Sequence, residues 1–269
     1  MSCWNTFNGK YSMRIKLLCL ILAFGSFATV NCLAQSSMMQ KHNLPLLYND
    51  DGDDFIIIAH RGASAYYPEN TMIGFEKAVE MGAEMIELDV MLSKDGVPIV
   101  FHDAKLNQHT NGSSYVKYYT LKELKELDAG SWFNPKFSNQ KIPTLEEVLH
   151  FASGKIALNI EIKTEAVSDQ IKNGIEEKVL QLVKEYGMQK HVLFSSFDYR
   201  AVRHFKKLDP NIPVALLYEK TQSNRLLPHQ LVEKYNVDAF NCSYRQLKRK
   251  WIADINKFDI PAFIYTVDS

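Results

Sequence analysis

From residue 54 onward, short apolar runs alternate with segments of helical spacing, and this alternation restricts the fold more than any other feature of the chain. Residues 55–59 are an unbroken apolar run, the mark of a strand covered on both faces. Residues 71–81 follow with Ile73, Phe75, Ala78 and Val79 at helical spacing, and Gly82 suits the helix stop. Further apolar runs fall at 83–91, 156–162, 192–197, 214–218, 239–242 and 262–267, separated by helical stretches near 168–187, 199–208, 224–235 and 246–257. Strands alternating with helices predict an α/β fold, a TIM-type (β/α) barrel with the helices outside. One connection departs from the pattern. Val90 and Val97 are separated by six residues, with Lys94-Asp95-Gly96 as a turn, whereas a parallel crossover needs about a dozen. Residues 97–101 should therefore return antiparallel, as a hairpin excursion after the second strand. Seven barrel strands then remain where a closed barrel has eight. The expectation is a barrel cut short at its C-terminal end, without the last helix–strand–helix unit; an open sheet is the alternative. The stretch 104–143 should be largely irregular, with a short helix at 121–127 and an aromatic loop at Gly130-Ser131-Trp132-Phe133.

The polar residues at the ends of these runs carry the chemistry. His60-Arg61 ends the first strand, Glu87 and Asp89 lie near the end of the second, His102-Asp103 closes the hairpin, and Glu161 and Lys163 end the next strand. In a barrel these ends meet at one mouth. Residues i and i+2 of a strand share a face, so Glu87 pairs in direction with Asp89, and Glu161 with Lys163. Three carboxylates aimed at one point repel each other unless a cation compensates. An all-oxygen set suits a hard divalent ion, Mg²⁺ or Ca²⁺, and an ion network with Arg61 and Lys163 is the competing reading. His60 and His102 supply general acid and base, because free imidazole titrates near pH 6.5. Arg61 and Lys163 offer donors to the non-bridging oxygens of a phosphate.

Taken together, His60-Arg61-Gly62-Ala63, Pro68-Glu69-Asn70-Thr71, Glu87-Leu88-Asp89-Val90, Val100-Phe101-His102-Asp103, Glu161-Ile162-Lys163 and Tyr265-Thr266-Val267 resemble the glycerophosphodiester phosphodiesterase family over about residues 55–269. The resemblance implies a phospholipase-C-like phosphodiesterase barrel that hydrolyses small glycerophosphodiesters to an alcohol and glycerol 3-phosphate. It implies His60 and His102 as the acid–base pair, Glu87, Asp89 and Glu161 as metal ligands, and Arg61 and Lys163 on phosphate. Glu69, Trp132, Phe133 and Tyr265 are candidates for substrate contact. The chain also departs from the family pattern. Gln108 stands where an arginine is usual, His109 where a threonine is usual, and Tyr265 where a tryptophan is usual. A lysophospholipase-D-like or phosphoinositide-type activity on the same barrel, or an inactive phosphodiester-binding module, are the alternatives.

Composition bounds the rest. Lys+Arg and Asp+Glu both number 31 in 269 residues, so nothing in the charge balance calls for a nucleic-acid partner. Arg14 and Lys16 precede a 14-residue apolar run and the small-residue stretch around Ala34, the order of a secretory signal peptide. The run falls short of the roughly 20 residues of a membrane span. The expected organisation is a signal peptide at 1–34, with Met13 an alternative start, a linker at 35–53 and a barrel domain at 54–269. The mature chain would be exported, without a stable membrane span, and Cys242 would be its lone cysteine.

Overall fold

The computed structural model describes residues 3–6 and 56–267, and in it the alternation of runs becomes a barrel wall. Seven strands run parallel in chain order: β2 (Ile57–His60), β3 (Met85–Leu92), β5 (Ala157–Ile162), β6 (Val192–Ser196), β7 (Val214–Leu217), β8 (Ala239–Ser243) and β9 (Ala262–Val267). Strand β4 (Pro98–Val100) returns antiparallel to β3, with Val90 opposite Val100, as the short connection requires. Strand β1 (Cys3–Thr6) pairs antiparallel with both β2 and β9. It fills the place between the first and last parallel strands that the strand count leaves open. Those four residues belong to the stretch expected as a signal peptide; the rest of that stretch, and the linker, lie outside the described residues.

Helices cover the outside: α1 (Met72–Glu80), α2 (Leu121–Glu126), α3 (Leu145–Ala152), α4 (Ile175–Glu185), α5 (Tyr199–Leu208), α6 (Pro228–Tyr235) and α7 (Arg249–Lys257). Ile86, Leu88 and Val90 of β3 and Leu158, Ile160 and Ile162 of β5 face these helices and are buried with them. Ile58, Met85, Leu193, Ala215 and Phe263 fill the barrel interior instead. Each buried aliphatic side chain contributes roughly 1.5–3 kcal/mol, so the two-sided burial explains why these strands read as continuous apolar runs. Cys242 is free and buried, and burial pushes its thiol up to about 12.

The structure corrects three expectations. Helix α3 was not anticipated; Thr144 and Glu147 form a capping box at its start. Helix α4 begins at Ile175 rather than near 168, behind Gly174 at its N-cap. Helix α6 begins at Pro228, the residue type suited to a first helical position, because Asn224 and Arg225 take positive φ and cannot continue a helix. The stretch 104–143 has a core of its own, with Leu106, Val116, Leu124, Ala129 and Ile142 packed against Met91, Ile99 and Phe101. It is a packed lobe on the hairpin rather than a loose loop.

Candidate active site

The register of the wall brings the polar strand ends together. His60 stands opposite Glu87 across β2 and β3, and Asp89 stands opposite Glu161 across β3 and β5. Because alternate strand residues share a face, Glu87, Asp89 and Glu161 all point inward while Leu88 and Ile162 pack outward. One carboxylate oxygen from each of the three lies within 4.8 Å of the others. Their exposures are 0%, 1% and 5%, so solvent does little to screen their repulsion. The turn after β2 closes over them. The Arg61 N–H donates to the Glu87 carbonyl (2.9 Å) and carboxylate (3.0 Å). Arg61 and Asn70 take φ of 57° and 53°, and the Asn70 N–H donates to the Arg61 carbonyl at 3.0 Å. Gly62, at φ 84°, lies so near α1 that an added Cβ would stand 2.7 Å from the Gly74 carbonyl carbon, which admits only glycine.

Two cations and an amide brace the carboxylates. Lys163 Nζ donates to Asp89 Oδ1 (3.1 Å) and Glu161 Oε1 (2.9 Å). Arg61 Nε lies 3.3 Å from Asp89 Oδ2, and its Nη1 donates to Glu69 at 2.9 Å. The Asn70 side chain donates to Asp89 Oδ2 at 2.9 Å and accepts from the Asp89 N–H at 3.3 Å. Burial opposes the ionisation of Asp89, but Lys163 and Arg61 outweigh it and hold the group well below the usual carboxylate range. Glu87 goes the other way, pushed well up by burial and by the charge of Asp89. Burial likewise pushes Glu161 up to about 7, although Lys163 opposes it. Glu87 Oε1 is buried without a hydrogen-bond partner. A three-carboxylate, all-oxygen donor set with an orphaned buried oxygen fits a hard divalent cation.

The histidines flank this cluster. His60 Nε2 lies 3.7 Å from Glu87 Oε2, and burial followed by the charge of Arg61 lowers its pKa to about 3. His102 Nδ1 lies 2.7 Å from Asp103 Oδ1, and His102 is near enough to His60 and Asp89 for their charges to interact. The candidates for substrate contact divide. Glu69 holds Arg61, and Trp132 packs edge-on against His109 with ring centres 4.3 Å apart. Phe133 packs into its own lobe between Trp132 and Phe137, at 5.6 and 5.9 Å. Tyr265 on β9 lies 6.1 Å from Phe197, and burial together with the charge of Glu161 raises its pKa. Three groups here had no role assigned from the sequence. They are Asn70 on Asp89, Asp103 on His102, and His109, whose Nδ1 lies 2.6 Å from Asp103 Oδ2.

Residues 60–269 match the model of the glycerophosphoryl diester phosphodiesterase family. The chain is 39% identical over 214 residues to the glycerophosphodiester phosphodiesterase of Caldanaerobacter subterraneus, covering 79% of this chain and 86% of that protein. It is 38% identical over 233 residues to a glycerophosphodiester phosphodiesterase of Bacillus subtilis, covering 81% and 78%. Among solved structures it is similar to a phosphodiesterase of Oleispira antarctica in complex with the product sn-glycerol-3-phosphate. The identity there is 30% and the TM-score 0.71, over 79% of this chain and 84% of that one.

Proposed function

Because the chain belongs to the glycerophosphoryl diester phosphodiesterase family and is an enzyme of that class, we propose that the mouth of its barrel hydrolyses glycerophosphodiesters to an alcohol and glycerol 3-phosphate, with His60 and His102 as the proton-transfer pair. The observation that supports this reading is a buried carboxylate cluster braced by Arg61 and Lys163, with His60 3.7 Å from Glu87 and His102 within reach of the charges of His60 and Asp89.

His60 stands at the edge of the cluster, its Nε2 3.7 Å from Glu87, where a neutral imidazole can accept the proton of the attacking oxygen. The new P–O bond forms as the bond to the leaving alcohol breaks. His102, with Asp103 on its Nδ1, is oriented to hand a proton to the departing alkoxide. Arg61 and Lys163 are cations already at the site, and each can turn donors toward the non-bridging phosphate oxygens. Glu87, Asp89 and Glu161 would hold the divalent ion, Mg²⁺ or Ca²⁺. Such an ion, when bound, supplies Lewis-acid polarisation of a phosphoryl oxygen. Glu69 restrains Arg61, and Asn70 restrains Asp89. Tyr265 lies near enough to Glu161 for their charges to interact and Trp132 lies against His109, so both are candidates to border a substrate, whereas the packing of Phe133 within its lobe favours a supporting role.

Among the described residues no helix is long and apolar enough to cross a membrane; we read residues 1–34 as an export signal, whose removal would take Cys3–Thr6 out of the barrel wall. The test of the activity is glycerol 3-phosphate release from a panel of glycerophosphodiesters. Release with a dependence on both histidines is expected. Turnover of lysophospholipids alone would favour the lipid-directed alternative.

A further inference from the structure

The run of titratable groups at the mouth continues past Asp103 to His109, a residue the reaction above does not use. Each oxygen of the Asp103 carboxylate meets an imidazole, Oδ1 at 2.7 Å from His102 Nδ1 and Oδ2 at 2.6 Å from His109 Nδ1. His109 Nδ1 also lies 4.0 Å from Glu69 Oε1, and Glu69 accepts from Arg61. The His109 ring is held edge-on by Trp132, at 4.3 Å between centres, and lies 6.5 Å from Phe101. The chain His102–Asp103–His109 thus leads from the proton-transfer histidine to the residue that restrains the phosphate-binding arginine.

An ionised carboxylate only accepts hydrogen bonds. Burial works against ionisation of Asp103, but the hydrogen bond from His102 and the charge of His109 hold it below the usual carboxylate range. Both Nδ1 atoms must then carry a hydrogen, so the proton that His102 hands to the leaving alcohol is the one its Nε2 carries in the protonated ring, and the neutral ring keeps its hydrogen on Nδ1. Partners that fix the tautomer and orientation of a metal-ligating imidazole typically carry about 10- to 100-fold in affinity or activity, and Asp103 restrains the His102 ring in the same manner. Asp103 follows β4 on an irregular stretch, and among the described residues the two imidazoles are its hydrogen-bond partners. The second imidazole therefore limits the rotation of the carboxylate and takes a share of its charge.

We propose that His109 is a positioning residue for proton transfer by His102, acting through Asp103. The inference rests on the phosphodiesterase reading of the site. It makes His109, which departs from the threonine suggested by the family resemblance, a feature of how this particular chain tunes that step.

Two substitutions separate positioning from packing. His109→Phe keeps a ring against Trp132 and removes the donor. His109→Asn places a side-chain N–H near the position of Nδ1. With Mg²⁺ in excess and a glycerophosphodiester substrate, His109→Phe should lower kcat by on the order of 10-fold with KM changed much less. The same variant should move the His102 limb of the kcat/KM profile to higher pH, because Asp103 then serves His102 alone. The charged and titratable groups facing this pair are Asp103 and Glu69 on the His109 side, and Asp103, His60 and Asp89 on the His102 side. None of them is altered. His109→Asn should restore most of the rate and the wild-type limb. Equal kcat and equal pH limbs for wild type and His109→Phe would overturn the proposal. So would equal losses in both variants with a matching fall in thermal midpoint. Imidazole ¹⁵N shifts give an answer independent of turnover: His102 should carry its hydrogen on Nδ1 in the wild type, and a wild-type His102 protonated mainly on Nε2 would contradict the proposal. Absence of glycerol 3-phosphate release from the wild type itself would instead count against the phosphodiesterase reading, leaving the ¹⁵N result to decide the coupling.

Discussion

At the scale of single residues, the site is a balance of charges that water does not screen. His60→Ala and His102→Ala should each lower turnover by roughly 10² or more while leaving the thermal midpoint near that of the wild type. Activity within a few-fold of wild type for both would contradict the assignment. The buried carboxylates make a second prediction. In the metal-free protein Glu161 is raised to about 7 from 4.5, so between those values the fold binds a proton that the unfolded chain has released. Stability contributed by this group therefore falls as pH rises through that window. The stability of wild type relative to Glu161→Gln, measured by denaturant unfolding with chelator present, should fall steadily from pH 4.5 to 7. A constant difference would mean that Glu161 ionises normally. Mg²⁺ or Ca²⁺ should raise the wild-type thermal midpoint by mass action, and Glu161→Gln should blunt that rise. Glu87, Asp89, Glu161 and Lys163 were legible in the sequence because two-residue spacing on a strand fixes their direction, and His60 because it ends the first apolar run. Asn70 was not, since its bonds to Asp89 cross 19 residues and depend on a left-handed backbone. His109 was visible only as a departure from a pattern, because no spacing rule links it to Asp103.

At the scale of elements, helix starts are set by specific side chains. The Asp198 carboxylate accepts from the Arg200 N–H at 2.9 Å at the start of α5. Asp198→Ala should destabilise the fold by about 1 kcal/mol and Asp198→Asn by much less, as read from denaturant midpoints; equal effects would mean that the Arg200 ion pair, not the cap, matters there. Strand order and helix order followed from periodicity, and β4 followed from the length of one connection. What periodicity could not supply is where local chemistry overrides it. Helix α3 begins at the Thr144–Glu147 capping box, a signal of side-chain chemistry that periodicity does not register. The early parts of α4 and α6 were overestimated because Gly174 and the left-handed Asn224 and Arg225 stop the helix despite suitable neighbours.

At the scale of the whole molecule, the barrel wall is continuous because β1 stands between β2 and β9. Deleting residues 1–12 should lower the thermal midpoint and promote self-association through the two freed edges. An unchanged midpoint with a monomeric product would mean that the folded wall does not depend on β1, as the reading of residues 1–34 as a removable signal requires. The wall, the lobe on the hairpin and the turn over Arg61 converge on one mouth, and the central claim is that this mouth cleaves glycerophosphodiesters by metal-assisted proton transfer. The direct measurement is glycerol 3-phosphate release from a glycerophosphodiester by wild type and His102→Ala, each with Mg²⁺ or Ca²⁺ and with chelator. Wild-type release should be abolished by chelator and restored by added metal, with His102→Ala lower by roughly 10² or more. Wild-type release that is indifferent to chelator, or a His102→Ala variant as fast as the wild type, would contradict it.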